Sequence, residues 1–167
     1  MGKYKRNPPT PPRSNTPVVN TRPVPAPSAP IAQPSLAESG IQTLAQKRAK
    51  HALAQVTAMP QDDEHIASQI AGFPAMILMS GFGQACAFYL SKGKSTNGLP
   101  MKLAYEALQS WLTSRDRPYS KHPRQLMCAI TESDAATYRL AQAEALAYLD
   151  WLKKFAVAFL KRTDNEG

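Results

Sequence analysis

From residue 41 onward apolar residues recur three or four apart, the spacing of helices, whereas before residue 41 they scarcely recur at all. Ile41, Ala45, Ala49, Ala52, Leu53 and Val56 line one side of a first helix over residues 41–59, and Met59-Pro60 predicts its end. Gln61-Asp62-Asp63-Glu64-His65 then sets acids ahead of the next apolar run, where they act as caps and dipole partners rather than as a metal cluster. A second helix is predicted from about residue 63 towards 72. Phe73-Pro74 reads as entry to another, with Pro74 in its first turn. Residues 75–90 are helical in composition except at Ser80-Gly81-Phe82-Gly83, where two glycines predict a kink, a helix break or close backbone contact. Further helices are predicted over residues 101–113 and 123–131. Ser133-Asp134 caps the last and longest, over about 135–162. No strand period appears. The expected fold is all-α, a compact bundle of five to six helices with the long C-terminal helix at its centre.

Composition separates the chain into two parts. Ten of the fifteen prolines precede residue 40, where Lys3, Lys5, Arg6, Arg13 and Arg22 face the single acid Glu38 and large apolar side chains are scarce. Such a segment cannot offset its ordering entropy by burial, so residues 1–40 are expected to be a disordered basic tail and 41–167 the helical domain. Pro8-Pro9-Thr10-Pro11-Pro12 satisfies PxxP, although a solvated tether is the simpler use of it.

The net charge is +8, shared evenly between the two parts, which favours polyanionic partners. Two cysteines, Cys86 and Cys128, supply neither a disulfide framework nor a zinc set, and a reducing cytoplasm is the expected location. The last helix is apolar around most of its circumference, but Arg139, Glu144, Asp150, Lys153 and Lys154 within it argue against a membrane span, and no membrane partner is expected.

Gly93-Lys94-Ser95 matches the end of a nucleotide-binding phosphate loop. That loop also needs a glycine at position 88, which is Phe88, and a preceding strand, where residues 84–90 are helix formers. His51, His65 and His122 sit on unrelated elements with no paired acid or metal-ligand spacing, so each is expected at the surface. Neither a catalytic set, a metal nor a cofactor is expected.

Basic side chains remain. On a helical wheel Lys47 and Lys50 lie opposite the apolar stripe of the first helix, Lys92 and Lys94 occupy a polar loop, and Arg139, Lys153, Lys154 and Lys161 share one stripe of the last helix with Asp150. These eight could follow a phosphate backbone, which requires only positive groups spaced along a track. Arg48 and Glu144 differ from them. Each lies on or at the edge of its helix's apolar side, where a charge is costly unless paired, so the two are expected to meet and to join the first helix to the last.

Residues 73–94 ("FPAMILMSGFGQACAFYLSKGK") and 138–160 ("YRLAQAEALAYLDWLKKFAVAFL"), preceded by 46–56 ("QKRAKHALAQV"), resemble the small α-helical subunit of the Cmr complex, the type III-B CRISPR effector. The likeness spans residues 41–162. It implies a noncatalytic protein that stacks in several copies along guide RNA paired with target RNA, beside a filament of RAMP-type subunits and a large polymerase-like subunit that carry the chemistry. Sequence would then be read by base pairing while protein reads the backbone. The Pro-rich tail falls outside the resemblance. The alternative is a helical scaffold that contacts protein alone.

Overall fold

A computed structural model describes residues 1–2, 9–12 and 41–160; most of the Pro-rich stretch, and Lys161, lie outside them. The chain divides into Met1–Ser39 and Gly40–Gly167, and every described helix belongs to the second unit. Among the described residues six helices follow in order: α1 Leu44–Thr57, α2 Glu64–Ser80, α3 Phe82–Lys92, α4 Leu99–Leu112, α5 Leu126–Glu132 and α6 Ala135–Phe159. No strand occurs among the described residues, and the fold is all-α.

Local chemistry sets the helix ends. Thr43 and Gln46 form a reciprocal capping box at α1, Asp63 accepts from the amide of His65 to start α2, and Asp134 accepts from the amides of Ala136 and Thr137 to start α6. The acidic run at 62–64 thus supplies a helix cap. Among the described residues no group of three or more potential ligands is placed to hold a metal.

One expected boundary is wrong. Rather than ending near Gly72 and restarting at Pro74, α2 runs unbroken through both. Pro74 lacks the N–H that would bond the carbonyl of Ile70, but Phe73 and Ile77 on either side are buried in the core, and their packing outweighs one lost backbone bond. The true break is at Gly81, whose φ of +88° and ψ of 156° are a conformation essentially reserved for glycine. Gly83 supplies the close contact: its amide donates to Tyr138 Oη at 3.0 Å, and a side chain there would press on Ile130.

The long helix α6 is the pillar. It packs on α1, α2 and α4 through Ala141, Ala145, Tyr148, Leu149, Leu152 and Ala156, all fully buried. On the far side of α2, Phe73 stacks on Tyr89 of α3 with ring centroids 3.7 Å apart, and Tyr89 Oη donates to the carbonyl of Gln69 at 2.7 Å. No described helix is long and apolar enough to cross a membrane.

Candidate nucleic-acid interface and its supporting ion cluster

Lys47, Lys50, Lys92, Lys94, Arg139, Lys153 and Lys154 are all exposed. Lys47 and Lys50 lie on α1, and Arg139, Lys153 and Lys154 on α6, the helix it packs against. Arg139 and Lys153 are fourteen positions apart in α6, which is about 21 Å along the axis, comparable to several phosphate steps. Lys92 and Lys94 lie elsewhere, at the end of α3, which packs on α2, α4 and α5.

Two of these cations already have neighbours. Lys154 Nζ is 2.7 Å from Asp150 Oδ2 and 5.6 Å from the Trp151 ring centre, and Lys92 Nζ lies 5.9 Å from the Phe88 ring centre. At such exposed positions these contacts are weak and salt-screened, so the groups stay available to a phosphate.

Gly93 faces α4. A side chain on it would come within 3.0 Å of Lys102 Cα, so the small residue is demanded by helix packing, and the element before it is a helix. Gly98 is tighter still, with a Cβ there running into the carbonyl of Lys92 and the backbone of Gly93. Ser95 closes the turn, its hydroxyl and amide both donating to the Lys92 carbonyl at 2.7 and 3.0 Å. Lys92, expected in a loop, is instead the last residue of α3, and backbone contacts fix the turn that follows it and carries Lys94.

Beneath α1 lies a cluster centred on Glu144, which is 7% exposed. Arg48 grips its carboxylate with two bonds, Nε to Oε1 at 2.9 Å and Nη2 to Oε2 at 2.6 Å. Trp111 Nε1 also donates to Oε1, at 2.9 Å, and Arg117 Nη1 stands 3.8 Å from the same oxygen while its guanidinium lies 4.6 Å over the Trp111 ring. Desolvation pushes the Glu144 pKa up more than any other single influence, but the bonds from Arg48 and Trp111 and the charges of Arg48 and Arg117 together hold it below the ordinary value. The Arg48 pKa is raised, chiefly by its bond to Glu144. One carboxylate thus serves two guanidinium groups, a pattern that fixes α1, α4 and α6 and the loop after α4.

A sequence model of the family described as CRISPR-associated protein (Cas_Cmr5) matches residues 44–159. The chain belongs to the Cmr5 family. A Cmr5 family protein from Thermus thermophilus, known from an X-ray crystal structure, is 27% identical, covers 72% of this chain and 100% of its own, and superposes with a TM-score of 0.59. No match was found among curated proteins. This Cmr5-family chain is accordingly a small helical subunit associated with a Cmr complex, and the region matched runs from α1 to the end of α6.

Several site residues escaped the sequence reading. His51 is half-buried rather than a surface histidine: Nδ1 lies 2.9 Å from Tyr148 Oη, Nε2 lies 3.2 Å from Ser110 Oγ, and its ring is 5.3 Å from that of Trp111. Those partners are 97 and 59 residues away, and no local pattern signals them. Arg117 and Trp111 were missed as Glu144 partners for the same reason.

Burial lowers the His51 pKa. The folded state then resists a proton that the unfolded chain accepts near pH 6.5, so stability falls as pH drops below about 6.5. Urea midpoints of the wild type should decline over that window, and His51→Gln should flatten the decline. An equal decline in the variant would assign the effect to another group.

Proposed function

We propose that the chain is a noncatalytic small subunit of a type III-B CRISPR effector in antiviral defence, working in the cytoplasm and stacking in several copies along guide RNA paired with target RNA. The carrying observation is the family match from α1 through α6, which coincides with the helices that bear the exposed cations. Lys47, Lys50, Lys92, Lys94, Arg139, Lys153, Lys154 and Lys161 are the phosphate-contacting residues in this reading. Cations spread over α1, the end of α3 and α6 suit a subunit lying between neighbours, because different faces then meet different stretches of backbone. RAMP-type backbone subunits and the large polymerase-like subunit are the protein partners, and RNA cleavage belongs to them.

A single copy neutralising about three or four phosphates should bind RNA at roughly 10⁻⁴ to 10⁻⁶ M, without sequence preference. In the assembly, multivalency raises the affinity. Replacing Lys92 and Lys94 together by Gln should flatten the slope of log affinity against log salt by up to about two units, with helical content unchanged. Unchanged affinity of the reconstituted complex after neutralising all eight residues would replace this reading with the protein-only scaffold.

A further inference from the structure

A groove of about 700 Å³ opens between the end of α3, the outer face of α4 and the start of α5. Its apolar lining is Leu90 and Met127, both partly exposed, with the buried Leu126 and Tyr105 behind them. Lys102 and Arg124 stand on its walls, and Lys94 at the edge next to the loop described above. Glu106 is the acid among the lining residues, 3.9 Å from Lys102.

Arg124 is held in an unusual way. Its φ is +58°, a left-handed conformation that costs a side-chain-bearing residue about 1 kcal/mol. The amide is tied to Thr113 Oγ1 at 3.3 Å. Strain kept at an exposed cation on a groove wall points to use of that cation.

We propose that this groove receives a short extended segment of another protein chain in which acidic and aliphatic side chains alternate. Alternation sends every second side chain to the same face, so the aliphatic set seats on Leu90 and Met127 while the carboxylates reach Lys102 and Arg124. Glu106 and the amides of Gln109 and Gln125, also on the walls, offer partners to the segment's backbone. RNA fits less well. Tyr105 is 4% exposed, so no ring face is offered to a base. The chain's own N-terminal stretch is basic and unsuited by charge. Arg124 lies outside the set assigned to RNA, so the two assignments stand or fall separately.

The test uses the full chain with 13C-methyl methionine and a synthetic peptide of about six residues alternating Glu and Leu, about 20 Å long when extended. The methyl resonance of Met127 should shift saturably, while that of Met79, exposed on α2, should not. Arg124→Gly should weaken the peptide roughly tenfold, the worth of one charge-assisted hydrogen bond. It should also keep or raise the melting temperature, because glycine adopts the positive φ without strain. Arg124→Lys should retain most of the binding. An unmoved Met127 resonance, an affinity indifferent to Arg124→Gly, an equal response to a Lys-Leu peptide, or a saturable shift caused by oligouridylate in place of the peptide would each overturn the assignment.

Discussion

Glu144→Gln should destabilise the protein by about 3 to 5 kcal/mol, because it leaves Arg48 and Arg117 without a counter-charge in a site that is largely closed to water. Arg48→Met should cost less, about 2 kcal/mol, since Glu144 keeps its bond from Trp111 and the charge of Arg117. That asymmetry separates a shared carboxylate from a simple pair. The double variant should fall short of the sum of the two. Acidity provides a second readout. A carboxyl held below its ordinary pKa contributes stability that is complete above about pH 4.3 and is lost as pH falls through the folded-state value. Glu144→Gln should remove that part of the acid sensitivity. Chemical denaturation of the three variants at neutral and acid pH checks both statements, and equal losses for Arg48→Met and Glu144→Gln would show that Arg117 has no part in the cluster.

Gly98→Ala should cost about 3 kcal/mol, or roughly 10 °C in melting temperature, although it adds a single methyl group. The atoms it would strike are the Lys92 carbonyl and the backbone of Gly93, and no flexible side chain can swing aside. Relief requires the turn between α3 and α4 to open, which breaks the bonds from Ser95 to Lys92 and from Gly98 to Ser95. RNA affinity should drop with stability, since the same turn sets the positions of Lys92 and Lys94. Differential scanning fluorimetry and a salt titration of RNA binding would detect the two effects. A melting temperature within 2 °C of wild type, against the roughly 10 °C expected, would mean the turn yields easily.

Much of this fold could be read from the chain, because amphipathic spacing and caps are local properties. Asp63 and Asp134 each signal a helix start within three residues of the groups they bond. Pro74 misled because its local effect was judged without the burial of Phe73 and Ile77, which depends on α3, α4 and α6 being present. The contact of Arg48 with Glu144 was legible for a different reason: a charge on an apolar stripe declares the need for a partner even when the partner is 96 residues away. His51 carried no such sign, since a histidine beside alanines suits surface and interior alike. The groove at α4 was invisible because its residues come from three helices and the two loops that join them, and only Arg124, through its backbone angle, marks it as unusual.

The bonds from Arg48 to Glu144 and from His51 to Tyr148 advance together along both helices, so α1 and α6 run in the same direction. For folding, this makes the first helix dependent on the last. Closing so long a loop carries an entropic cost that local helix contacts do not share, and α1 has few buried residues of its own, only Ala52 and Val56. The hairpins α2–α3 and α3–α4 can form early, while α1, synthesised before them, meets α4 at His51 but gains most of its packing only when α6 is complete. Its alanine-rich, weakly apolar face suits that wait, because a segment exposed so long during synthesis would aggregate if it were strongly hydrophobic.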